Sequence, residues 1–244
     1  MSGRDEAYWA KPVRTLDVKE IPAGATSANV AGRRVAGAAQ GFGQLWHKRF
    51  RVRLEGANVA PQEVIRVWKE RFGDFWPKRA RMFLPPAGIA PGEIGIINAG
   101  MPGAPTFATG VLVIYSDDVS FSFITPEGHM FTGPITFSAF DDDGTTVAEV
   151  EEFTRASDPL WELLMITPFV GDWMQNAQWI VTLGNLAAHW GVRGKVDTRI
   201  VCLDRGRQWS QAKNIWHNAG IHSGLYAASA PFRRLARPNA KRQP

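Results

Sequence analysis

The sequence predicts an α+β domain in which an antiparallel sheet packs on one long helix. Three observations carry this. Residues 81–153 hold six short β-rich runs separated by turn-rich segments such as PPAGIAPGE, AGMPGAP, TPEGH and DDDG. Short separators favour sequential antiparallel pairing. From Trp173 to Val192 there is no Lys, Arg, Asp or Glu, and apolar residues recur at three- and four-residue steps. A helix so poor in charge is expected to be covered on more than one side.

Taken in order, residues 1–44 are rich in Gly and Ala and have little periodicity, which predicts an irregular N-terminal arm, with Tyr8, Trp9 and Val13 as candidate anchors. Gly41-Phe-Gly43 fits neither a dinucleotide nor a Walker spacing. Trp46–Leu54 alternates cleanly, with Trp46, Phe50, Val52 and Leu54 on one face and Arg49, Arg51 and Arg53 on the other. The arginine row reads as the solvated face of a strand. Ala60–Phe75 predicts a helix or two short ones. Pro61 suits its first turn, and Val64, Val67, Trp68 and Phe72 form its apolar stripe.

Strands are expected at Arg81–Leu84, Gly92–Asn98, Phe107–Tyr115, Val119–Ile124, Met130–Phe140 and Thr145–Phe153. Asp143-Gly144 signals a tight hairpin. The run Asp141–Asp143 lacks the ligand spacing of a calcium loop and reads as a turn. The long helix is expected at Pro168–Val192. Its stripe reads Phe169, Trp173, Ala177, Ile180, Gly184 and Ala187, with Asn176 facing the same side. Its length could suggest a membrane span, but Gln175, Asn176, Gln178, Thr182, Asn185 and His189 argue against one. A strand at Thr198–Leu203 and a helix at Gln208–Asn218 are expected to cover the back of the long helix.

This order of elements is a helix-grip arrangement, and it resembles the START-like superfamily, also called SRPBCC or polyketide cyclase/birch-pollen-allergen-like. The resemblance lies in WHKRFRVRLEG, in APQEVIRVWKERFGDFWP, in the stretch from GHMFTGPITFSAF through TTVAEVEEFTRASDPLWELL, and in the long helix. It covers residues 45–192, and the Gly128–Phe140 and Val147–Phe153 strands with ASDPL look like uncharacterised bacterial members. Three segments follow: an arm at 1–44, a START-like domain at 45–192, and a basic extension at 193–244 packed partly on the long helix. The resemblance implies an apolar cavity between sheet and helix that takes a lipid, sterol or polyketide. It supplies no shared catalytic motif.

The residues expected to line that cavity are Trp173, Asn176 and Ile180 from the helix, Tyr115, Phe121 and Phe137 from strands, and His129 at a rim. A dedicated site should enclose at least roughly 300 Å³. The rival is a cyclase or aromatase acting in the same cavity, which an inward acid/base pair would favour. Of Glu149, Glu151 and Glu152, the first two share a face with Val147 and Phe153. That face reads as solvated, with Ala148 and Val150 looking inward. The five His are scattered, so no metal site is expected, and no cofactor. Cys202 stands alone in IVCL and reads as a small core residue.

The net charge of +5 is uneven. Residues 193–244 hold eleven Lys/Arg and two Asp/Glu, against seventeen and twenty-one in residues 1–192. The basic extension could give weak contact with an anionic membrane, whereas no specific nucleic-acid motif is present. A lone cysteine and an N-terminus without an apolar core segment suggest a cytoplasmic protein. The sequence leaves oligomeric state open.

Overall fold

The computed structural model describes residues 6–101, 104–166 and 168–230, with backbone alone at 101, 104–105, 166 and 168–175. The elements are β1 (Leu45–Arg53), α1 (Pro61–Glu70), α2 (Phe72–Phe75), β2 (Ala80–Phe83), β3 (Ile94–Met101), β4 (Ala104–Ser116), β5 (Ser120–Pro126), β6 (Pro134–Asp142), β7 (Thr145–Ala156), α3 (Pro159–Ile166), α4 (Pro168–His189), β8 (Asp197–Asp204) and α5 (Ala219–Ala228). A 3₁₀ helix, Trp209–His217, precedes α5. All sheet pairs are antiparallel, in the order β8-β1-β7-β6-β5-β4-β3-β2. This is the expected α+β helix-grip architecture.

Local chemistry explains the elements. Pro61 starts α1, where an N–H has no helical partner to lose. The Asp143-Gly144 hairpin has positive φ at both residues (53° and 78°), as a type I′ turn requires. Asp158 caps α3, its Oδ1 accepting from the N–H groups of Leu160 (2.9 Å) and Trp161 (3.0 Å). Burial nevertheless pushes the Asp158 carboxyl above its ordinary value.

One face of the sheet carries the main core. Phe50 and Val52 of β1, Val150 of β7, Phe137 of β6, Phe121 and Phe123 of β5 and Val113 of β4 meet Trp68 and Phe72 of the short helices. From α4, Trp179, Leu183, Leu186 and Ala187 enter the same core. Of the expected helix stripe, Ala187 enters this core and Ile180 does not. Ile180 and Val181 are each 41% exposed, because a helix without charges looks apolar at every phase.

The arm is not loose. Leu16 and Val30 are buried against Phe83, Ile96 and Leu112 on the sheet's other face. Trp9 bridges to Tyr115, with ring centroids 4.8 Å apart. Among the described residues, the contacts of the C-terminal segment are mainly with the sheet. This segment adds β8 as an edge strand beside β1 and lays α5 against β4. There Ser223 Oγ accepts from the Ala108 N–H (3.0 Å), and Asn29 Nδ2 donates to Ala108 O, Ala219 O and Ser223 Oγ, which ties arm, sheet and α5 together.

Candidate functional site

The core is solid at one end and hollow at the other. Under α1 and α2, Phe121 and Phe137 stack at 4.7 Å, Trp68 and Phe72 close edge-on around them, and Phe123 lies tilted against both. Away from this cluster, a cavity of about 130 Å³ lies between the sheet and α4. Its walls are Ile97, Ala99 and Gly100 of β3, Phe107 and Val111 of β4, Phe123, Ile135, the segment His129–Phe131, Glu152, Trp76, Arg79 and Ala80, with Gln178 and Trp179 from the helix. Small residues leave the space: Ala80, Ala99 and Gly100 stand where β3 loses register between Ala99 and Met101.

The cavity is mostly hydrocarbon with a few placed polar groups, the usual composition of a small-molecule site. Among the described residues that line it, Glu152 is the one carboxylate. Period-two alternation sets it inward with Val150, and its β1 partner in register is Lys48. Lys48 Nζ lies 3.5 Å from Glu152 Oε1, and Glu152 Oε2 accepts from Trp179 Nε1 at 3.4 Å. Lys48 also lies over the Phe131 ring, 5.5 Å from its centroid.

His129 is 8% exposed, and its Nδ1 accepts from the Phe131 N–H at 3.1 Å. Burial pulls its pKa down to about 4, so the ring is neutral at pH 7. Among the described residues, two donors of wall residues lack a hydrogen-bond acceptor: the Trp76 Nε1–H and the Gln178 Nε2–H₂, both buried. An unsatisfied buried donor costs about 1–3 kcal/mol and calls for an acceptor.

Of the residues expected at the site, the structure brings only His129 to the cavity wall. Phe121 and Phe137 belong to the solid half of the core. Tyr115 donates to Asp117 Oδ2 (2.6 Å) and holds the arm through Trp9. Ile180 points to solvent, Asn176 is half-buried outside the wall, and the Trp173 side chain lies outside the described residues. The residues missed were Lys48, Trp76, Glu152, Gln178 and Trp179. Alternation placed Lys48 with Phe50 and Glu152 with Val150, so two inward charges on facing strands were the available signal.

The face expected to be solvated is a partly buried ion-pair network, with Glu149 only 8% exposed and Val147 2%. Arg51 and Arg49 pair with Glu149, Arg53 with Asp142, and His47 with Glu151 at 2.7 Å. Among the described residues no group of His, Cys, Asp or Glu could hold a metal ion, and no helix is long and apolar enough to cross a membrane.

No family model and no curated protein sequence matches this chain. Solved structures of similar arrangement include the di-domain ARO/CYC StfQ from the steffimycin biosynthetic pathway, 11% identical over 59% of this chain, with a TM-score of 0.46; the chain spans 50% of that protein's length. Protein Ms6760 from Mycobacterium smegmatis is 12% identical over 59% of this chain and 89% of its own, with a TM-score of 0.43. The ginseng major latex-like protein 151 from Panax ginseng is 10% identical over 62% and 100%, with a TM-score of 0.41. These are similarities of arrangement only. The sheet order and the seat of α4 in this chain define a helix-grip arrangement with an apolar cavity between sheet and helix.

Proposed function

We propose that the chain binds a small, mostly apolar molecule bearing an acceptor oxygen, held between the sheet and α4. The observation that carries this reading is an apolar cavity whose wall residues include two buried donors that lack an acceptor among the described residues, Trp76 Nε1 and Gln178 Nε2. A carbonyl or ether oxygen would satisfy such donors, and the hydrocarbon wall would take the rest of the molecule. Size sets the occupant. At about 130 Å³ the cavity falls below the roughly 300 Å³ expected of a dedicated site, which counts against a lipid, sterol or polyketide as occupant. It is near the roughly 150 Å³ that holds benzene in an engineered apolar cavity. A one-ring ketone or a short acyl group fits this volume, and a whole sterol or extended polyketide does not. Native mass spectrometry of the purified chain tests the reading. A bound adduct of low mass, released on denaturation, supports it; a chain that stays at its apo mass after incubation with excess acetophenone contradicts it.

A second reading is supported by Glu152, an inward carboxylate beside Lys48 on the cavity wall. In it the carboxylate takes a proton from the carbon next to a bound ketone, while wall N–H groups hold the enolate oxygen. The proton returns to carbon in the reverse step. Deuterium uptake into the acetophenone methyl group in heavy water would follow this exchange by NMR. A rate above buffer that Glu152→Gln abolishes supports it, and a rate equal to buffer sinks it.

A further inference from the structure

Strand β8 ends the sheet, and its outer edge is open. It pairs with β1 on one side, and among the described residues no strand pairs with it on the other. Cys202 alone of its residues is partly buried; Ile200, Val201 and Leu203 are exposed by 38%, 37% and 52%. Alternate residues of an edge strand turn their N–H and C=O groups away from the neighbouring strand, which makes the edge a template for another strand. Protected edges are short or carry Lys and Pro. β8 has eight residues, DTRIVCLD, with neither.

The edge also carries an unbalanced cation. Arg199 lies directly opposite Arg49 of β1, on the outer face of the sheet. Like charges in that relation repel. Arg49 lies 3.8 Å from Glu149, whereas Arg199 has no ion pair or side-chain hydrogen bond among the described residues. At the far end of the strand, Asp204 offers a carboxylate held in place and half-exposed. Its Oδ2 accepts from Arg155 Nη2, and its Oδ1 accepts from the Gly206 N–H at 2.8 Å. A carboxylate has room for about four hydrogen bonds, so a further donor fits.

We propose that β8 pairs antiparallel with β8 of a second copy of this chain, across a two-fold axis at Val201. Residues opposed across such an axis share a sheet face, so the axis passes beside one residue and its own copy. With Val201 opposite itself, Ile200 meets Cys202. The register shift between Cys202 and Asp204 takes up Leu203, and Arg199 then comes opposite Asp204 of the second copy, twice over by symmetry. The faces agree, since Arg199 opposes Arg49 and Asp204 opposes Leu45, two residues on one side of β1. The cation without a counterpart in its own chain gains one in the dimer. Neighbouring registers lack this match: an axis at Ile200 sets Asp197 against Asp204, and one at Cys202 sets Val201 against Asp204. The sheet's other edge, β2, is the poorer partner. It has four residues, and a head-to-tail pairing of β8 with β2 would run on as an open chain. A contact between two edges falls below the roughly 1,200 Å² of a stable complex, so monomer and dimer exchange. The proposal does not depend on what fills the internal cavity.

Sedimentation velocity of the full chain from about 1 μM to about 1 mM is the test. The expected result is a monomer–dimer equilibrium with no larger species. Arg199→Asp sets carboxylates against each other, and Val201→Lys sets like charges at the axis. Each is expected to raise the dissociation constant about tenfold. Both positions are exposed, and circular dichroism checks that the variants fold. Oxidative cross-linking reads the register. In a Cys202→Ser chain carrying Val201→Cys, the two thiols are expected on Cα atoms about 4.5–5.5 Å apart, within reach of a disulfide. That chain should link into dimers faster than wild type, in which Cys202 faces Ile200. A monomer throughout, species larger than a dimer, a dimer indifferent to either charge variant, or a Val201→Cys chain that links no faster than wild type overturns the proposal.

Discussion

Lys48 of β1 and Glu152 of β7 are direct partners across the sheet, with Nζ 3.5 Å from Oε1 and about 5% of each side chain exposed. Two charges removed from water at the wall of an apolar cavity depend on each other. Their mutual attraction offsets part of the desolvation cost of each.

Removal of one member should therefore cost more than removal of both. Glu152→Gln is expected to destabilise the fold by about 3–5 kcal/mol, because the ammonium of Lys48 then faces a neutral amide. The double variant Lys48→Met with Glu152→Leu is expected to recover most of that loss. Urea denaturation of the single and double variants measures both. A Glu152→Gln loss under about 1 kcal/mol would show that the pair is solvated.

His129 should make the fold acid-sensitive in a defined window. Its pKa is lowered from 6.5 to about 4 in the folded chain, so between these values the unfolded chain binds the extra proton. Stability from this residue is complete above pH 6.5 and is lost as the pH falls toward 4. The shift corresponds to about 3 kcal/mol. His129→Gln should flatten the dependence of stability on pH between 6.5 and 4 relative to wild type. Thermal melts across that range decide it, and parallel curves for the two proteins would refute the assignment.

Gly128 fixes the approach of the C-terminal segment. It has φ +88°, and a Cβ there would sit 1.9 Å from the His217 carbonyl oxygen. The Gly128 carbonyl also accepts from the Ala219 N–H at 2.8 Å, where α5 begins. Gly128→Ala is expected to cost about 1–3 kcal/mol from backbone strain alone, and more from the clash. Hydrogen exchange should show faster opening of α5 in this variant. Unchanged exchange in α5 would separate the turn from the helix.

Much of the fold was legible because period and turn chemistry are local. The alternation of β1, the Asp143-Gly144 hairpin and the Pro61 start of α1 each have a short-range cause. The phase of α4 was not legible, since Ile180 and Leu183 are equally apolar in sequence and only packing puts one outside and the other inside. Helix α5 was missed because AGIHSGLYAA has two glycines and no charge; its Asn218 cap, accepting from the Ile221 N–H at 3.0 Å, was the readable signal. The cavity wall was misjudged for a related reason. Large aromatics such as Phe121 and Phe137 suggest a lining, yet they fill the core, and the space is left by Ala80, Ala99 and Gly100. Absence of bulk has no periodicity.

The proposed site is a cavity that would recognise an oxygen atom within a hydrocarbon wall. Calorimetric titration of acetophenone and of ethylbenzene tests this most directly, since the two share a ring and differ in the acceptor. The wild-type chain should bind acetophenone about tenfold more tightly, the worth of roughly one good hydrogen bond to a buried donor. Gln178→Leu should narrow that ratio, and Ala99→Leu, which fills the space, should abolish binding of both. Equal affinity for the two molecules in the wild-type chain, or binding unchanged by Ala99→Leu, would contradict the account.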